Sequence, residues 1–209
     1  MEKKIFNLII VDESGSMGSI RKQAFEGLNE TISTIKKMQK EQPDIEQRIT
    51  LLTFDSNHKT FLYDNQFAKT CKMLRWEQYE PGAATPLYDA IGMGISKVNS
   101  QCGEKDNVLV TIITDGYENC SEEFTLPMIH NLISKLKEHH WTFTLIGTEN
   151  LDVKGMAHSF AIDNHLSFKE NPEDTKAMFQ CERRARRRYN ECLREDKEMT
   201  TGSYFEEEP

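Results

Sequence analysis

Three short segments of the 209-residue chain carry side chains whose types and spacing suit chemistry: Asp12-Glu13-Ser14-Gly15-Ser16, Thr85, and Thr114-Asp115-Gly116. Their donors are all oxygen: two carboxylates, Asp12 and Asp115, and three hydroxyls, Ser14, Ser16 and Thr85. No imidazole or thiolate stands with them, so the set suits a hard cation, Mg2+ or Mn2+. Hydroxyl ligands are neutral. An ion held directly by Ser14, Ser16 and Thr85, with Asp12 and Asp115 bound directly or through water, keeps much of its charge. It then seeks an anionic oxygen from outside. Taken singly, Ser14, Ser16 or Thr85 reads more simply as a helix cap. Only the five together point to a cation.

The elements that must position these residues can be read from hydrophobic patterning. Residues 5–12 are β-branched and nearly all apolar, as in a strand buried on both faces. Ile20, Ala24, Leu28, Ile32 and Ile35 fall on one face of a following helix. Strands are predicted at 48–54 and 59–63, the latter a short antiparallel edge strand after the turn Asp55-Ser56-Asn57. Thr85-Pro86 starts a helix bearing Leu87, Ala90, Ile91, Ile95 and Val98. Strands at 108–114 and 142–147 enclose a helix bearing Leu126, Ile129, Leu132, Ile133 and Leu136. A short helix near 151–158 and a last strand around 159–162 follow. Asn171-Pro172-Glu173-Asp174 opens the final helix with a cap, a proline and two acids.

Strands alternating with helices predict an α/β fold: a doubly wound, mostly parallel sheet with one antiparallel edge strand and helices on both faces. In such sheets ligands bind outside the carboxyl ends of the strands, where strand order reverses. Asp12 and Asp115 each end a predicted strand, and both reach one spot if those strands are neighbours there. The expected organisation is one domain over 1–165, a helical extension over 166–196 and a disordered acidic tail over 197–209.

The order Asp-x-Ser-x-Ser, then Thr, then Asp-Gly resembles the metal-ion-dependent adhesion site of von Willebrand factor type A domains. Val11-Asp12-Glu13-Ser14-Gly15-Ser16-Met17, Ala84-Thr85-Pro86-Leu87-Tyr88-Asp89-Ala90-Ile91 and Ile113-Thr114-Asp115-Gly116 carry it. The likeness covers roughly residues 5–163. It implies a Rossmann-like fold and divalent-metal-dependent binding of a protein partner that supplies an Asp or Glu to the ion. It implies no catalysis. Intracellular members often act with AAA-type ATPases or in kinase and phosphatase systems. Loops 79–84 and 117–122 should rim the site, with Tyr117 and Glu118 as exposed contacts.

The net charge of −8 argues against nucleic acid as the main partner. No apolar run is long enough to cross a bilayer. The five cysteines form no CxxC pair and no export signal opens the chain, so a cytoplasmic, bacterial member with reduced thiols is expected. A phosphatase of the Asp-x-Asp type would need an acid where Ser14 stands. Walker, nucleophile-elbow and EF-hand patterns all fail. The histidines show no ligand spacing, and Gly92 and Gly94 read as packing glycines. In the last helix the arginines read as a solvated face. Met178, Cys181, Ala185, Tyr189 and Cys192 form an apolar stripe that docks on the domain or on a partner. A scaffold acting through that helix, with a vestigial metal site, is the competing reading.

Overall fold

The segment Lys3–Asp12 (β1) is buried from Ile5 onward, and a strand of that kind is satisfied only inside a sheet covered on both sides. The computed structural model describes residues 3–197 and 202–205. Chain order continues through α1 (Arg21–Glu41), β2 (Ile45–Phe54), β3 (Lys59–Phe67), α2 (Leu87–Asn99) and β4 (Asn107–Thr114). Then come α3 (Leu126–Leu136), β5 (Trp141–Thr148), α4 (Val153–Ser159), β6 (Asn164–Phe168) and α5 (Pro172–Arg194). The strands form one six-stranded sheet in the order β3-β2-β1-β4-β5-β6. Every neighbouring pair is parallel except β2 with β3. The fold is therefore the expected doubly wound α/β sheet with one antiparallel edge strand. Among the described residues no helix is long and apolar enough to cross a membrane.

Period-two alternation along β1 divides the core. Phe6, Leu8 and Ile10 face α2 and α3 through Leu87, Ile91, Ile95, Ile129 and Ile133. Ile9 and Val11 face α1 and α5 through Leu28, Ile32, Ile35 and Phe179. A Cβ at Gly27 would come within 2.2 Å of the Phe179 ring, so α5 seats on α1 only because position 27 has no side chain. Full burial of one such aromatic contributes about 1.5–3 kcal/mol. Gly92 and Gly94 are packing notches as expected, against Phe124 and Ile10.

Several boundaries differ from the sequence reading. β3 runs on to Phe67, because edge pairing with β2 continues through polar residues that carry no strand signal. The last strand is Asn164–Phe168, not 159–162; its alternation is blurred by His165 and Ser167. The boundary expected at 165/166 thus falls inside β6. The helix beyond it is seated on the sheet, with Asn171 Oδ1 capping the amides of Glu173 and Asp174 as expected.

The largest departure is beneath α5, whose arginines were expected in solvent. Arg186 is fully buried. It donates to Glu182 Oε1 (2.8 Å), Asn7 Oδ1 (2.6 Å) and Thr111 Oγ1 (2.8 Å). Asn7 donates on to Gln47 Oε1 at 2.9 Å, and Gln47 to Asn190 Oδ1 at 2.6 Å. Tyr204, within the tail expected to be disordered, is buried beside Tyr189 and donates to Glu182 Oε1 at 3.3 Å. Gly202–Phe205 are therefore folded onto the domain. Residues 198–201 and 206–209 of that tail lie outside the described residues.

Candidate metal centre

Val11 of β1 lies level with Ile113 of β4, so the two strands end side by side where the strand order of the sheet reverses. Asp12 closes β1 and is wholly buried. Its Oδ1 accepts from the Ser14 amide at 2.7 Å, and its Oδ2 from Thr114 Oγ1 at 2.6 Å. Ser14 is buried and Ser16 exposed, with their hydroxyls 3.2 Å apart. Ser16 Oγ donates to Asp115 Oδ1 at 2.8 Å. The other Asp115 oxygen is buried without a hydrogen-bond partner among the described residues. Thr85 is buried on the third side. A Cβ at Gly116 would lie 3.0 Å from Thr85 Oγ1 and 3.8 Å from Asp12 Oδ2, so glycine there keeps a small space open between them. All five residues singled out in the sequence are thus brought to one cradle.

The simpler capping reading does not account for the hydroxyls. Ser14 precedes the 3-10 turn Gly15–Ile20 but makes no side-chain cap bond. The cap position of α2 is Pro86, not Thr85. The serine hydroxyls face each other and Asp115 instead.

Burial raises the carboxyl of Asp12 above its ordinary range, opposed by the hydrogen bonds from Thr114 and Ser14. Burial also pushes Asp115 up to about 6; the Ser16 bond opposes it, while repulsion from Asp12 and Glu170 adds to it. Two desolvated carboxylates that repel each other are stabilised by any cation placed between them. Among the described residues no three His, Cys, Asp or Glu side chains are grouped to hold a metal. The candidate set is instead two carboxylates with three hydroxyls, the chemistry of a hard, incompletely neutralised ion.

A surrounding layer was not read from the sequence. Asn119 brackets Thr85: its Oδ1 accepts from the Thr85 amide at 2.8 Å and its own amide donates to the Thr85 carbonyl at 3.2 Å. Glu118, expected as an exposed contact, is turned inward. Its carboxylate accepts from the amides of Cys120, Ser121 and Tyr88 and from Ser121 Oγ. Asp89 accepts from the amides of Glu122, Glu123 and Phe124. Tyr117 is exposed, at 53%. On the opposite rim, His58 sits between the buried carboxylates of Glu13 (3.2 Å) and Asp55 (2.9 Å). Glu13 also accepts from the Glu80 amide, which ties down the loop leading to Thr85. Glu170, just before α5, accepts from Ser19 Oγ. Asx and Glu residues clustered in 117–122 hint at a carboxylate-organised loop; nothing local to His58 or Glu170 marks either.

The description "von Willebrand factor type A domain" matches residues 8–180 of the chain. No curated protein sequence matches it. Among solved structures, the SpRpn10 VWA domain superposes with a TM-score of 0.58 at 15% identity, over 87% of this chain and 95% of that one. The vWF domain of the type V pili tip protein Mfa5 from Porphyromonas gingivalis gives 0.66 at 10% identity, over 95% and 98%. The PilB minor pilin from Streptococcus sanguinis gives 0.60 at 11%, over 93% of this chain and 62% of that one. At such identities the likeness is one of fold.

Proposed function

Because the chain belongs to the von Willebrand factor type A domain family, we propose that it is a protein-binding domain whose binding depends on Mg2+ or Mn2+ held by Asp12, Ser14, Ser16, Thr85 and Asp115. One observation carries this reading: a buried, unpartnered Asp115 oxygen in a cradle of oxygens at the switch point of the sheet. When bound, the ion supplies a positively charged acceptor for a carboxylate oxygen of the partner. The chain does the rest. Ser14 and Thr114 hold the Asp12 carboxylate in one orientation. Ser16 does the same for Asp115. Asn119 fixes the backbone on both sides of the Thr85 side chain. Ser16, exposed where the other members are buried, marks the side from which a partner enters. Tyr117 on the rim is a contact for it.

The reading is of binding rather than catalysis. Ser14 stands where an Asp-x-Asp phosphatase carries its second acid, and a serine cannot protonate a leaving group in its place. The competing scaffold reading, through α5, is disfavoured because Met178, Phe179, Ala185 and Tyr189 of that helix are buried against α1 and the sheet.

The test is calorimetric titration of chelator-stripped protein with Mg2+ and Mn2+, beside Asp12→Ala. Binding by the wild type that is lost in a folded variant is the expected result. No heat at millimolar metal, with the protein folded, would overturn the reading. Capture of a partner that is indifferent to chelator would overturn its second half.

A further inference from the structure

At the far end of α1 from the metal cradle, roughly 25 Å along the helix axis, lies a groove of about 710 Å3. It is lined by Lys36, Lys37, Lys40 and Lys69 around Phe67 and Pro43. Phe67, which ends the edge strand β3, is half-buried. Lys36 donates to the Cys71 carbonyl and Lys37 pairs with Glu41 at 3.5 Å. Lys40 and Lys69 are exposed and make no ion pair among the described residues. Arg48 stands over the Phe67 ring at 5.3 Å. Four lysines therefore line one aromatic floor in a chain whose net charge is −8, while Arg48, over the same ring, is itself paired with Glu46 at 2.7 Å.

We propose that this groove docks a short acidic segment of a partner protein, one that carries a large apolar side chain among its carboxylates. Charge complementarity selects the acids, and the apolar floor selects the anchor. The net charge of −8 repels an acidic segment on average, so attraction at a local cluster of lysines orients it. Nucleic acid fits less well, because a phosphate backbone has no use for an apolar floor and Arg48 already covers a face of Phe67 on which a base would stack. An anionic membrane fits less well because the surface is concave. The proposal does not rest on the metal reading: the two places are separate, and the acidic segment needs no ion here.

The experiment is fluorescence anisotropy with a labelled peptide, Glu-Glu-Phe-Glu-Glu-Leu-Glu, added to the full chain in EDTA so that the metal cradle takes no part. We expect saturable binding that weakens as salt is raised, since exposed charges are screened. The Gln-for-Glu version of the peptide should not bind. Lys37→Glu/Lys40→Glu/Lys69→Glu should weaken binding by at least about tenfold, and Phe67→Ala should weaken it severalfold. Lys22→Glu, near the start of the same helix, should leave it unchanged. Circular dichroism checks that each variant is folded. The proposal is overturned if the peptide fails to bind at about millimolar concentration, if the triple variant binds as well as the wild type, or if a single-stranded oligonucleotide or phosphatidylserine vesicles bind more tightly than the peptide.

Discussion

Two polar clusters are buried in this domain, and they are closed in different ways. Under α5, Arg186 is neutralised from within: Glu182 is its counter-ion, and Asn7 and Thr111 each accept from one of its terminal nitrogens. At the carboxyl end of the sheet, Asp12 and Asp115 have hydroxyls and amides as partners but no cation among those partners, and one Asp115 oxygen has none at all. The first cluster is a complete set that orients a helix. The second is a set with a charge left over. A buried polar group with its charge cancelled reads as structure; one with its charge uncancelled, at an accessible edge, reads as a site. Glu182 Oε2 also lacks a hydrogen-bond partner among the described residues, yet its carboxylate carries the Arg186 ion pair at 2.6 Å.

That contrast can be broken most forcefully at Arg186. Arg186→Met strands the Glu182 carboxylate in the core and should cost roughly 3–5 kcal/mol in urea unfolding, while Glu182→Met/Arg186→Met should recover most of the loss. Metal titration of the double variant should match the wild type; if it does not, the clusters are not independent. Next in size is the metal itself. At a hundredfold excess over its Kd, Mg2+ should stabilise the wild type by about 2.7 kcal/mol and Asp115→Asn not at all. Metal-free, Asp115→Asn should instead be the more stable protein at pH 7.5, by on the order of 1 kcal/mol, because an uncancelled buried charge has been removed.

A pH series sharpens the same point. The folded-state pKa of Asp115, about 6, lies above the ordinary aspartate value of 3.8. A raised carboxyl pKa means the folded state binds the proton more tightly. Its contribution is therefore fully present below about 4 and is lost as pH rises through about 6. Stability of the protein in chelator should carry this downward component between pH 4 and 7, and Asp115→Asn should remove it. A pH profile shared by wild type and variant would show that Asp115 is not the group responsible. The smallest effect is expected at Asn119. Asn119→Ala leaves the Thr85 amide without its acceptor, which should cost about 1 kcal/mol and shrink the Mg2+-dependent stabilisation without abolishing it.

Legibility differed between the clusters for a physical reason. The cradle is built from three short segments at strand ends, and each segment announces itself through residue type: acid, hydroxyl, glycine. The capping alternative for Ser14 and Thr85 could be weighed but not decided until side-chain directions were known. The Arg186 cluster draws on Asn7, Gln47, Thr111, Glu182 and Asn190, spread over nearly the whole chain. In a helix as rich in arginine as α5, nothing local separates Arg186 from Arg187. Position on the helix decides it: Arg186 falls between Glu182 and Asn190, on the stripe that meets the sheet. The rim shows the same limit. Glu118 reads as a surface acid until the loop folds back and three amides and a hydroxyl converge on it.

The alternation of buried strands and amphipathic helices was enough to specify the doubly wound sheet, since each apolar run admits one period and each period one way of being covered. It also named the five oxygen-bearing residues of the cradle. Which carboxylate would be left uncancelled, which arginine would be cancelled and which end of α1 would gather lysines around an aromatic floor were settled only by packing. Those outcomes depend on distances between residues far apart in the chain, and hydrophobic period carries no information about such distances.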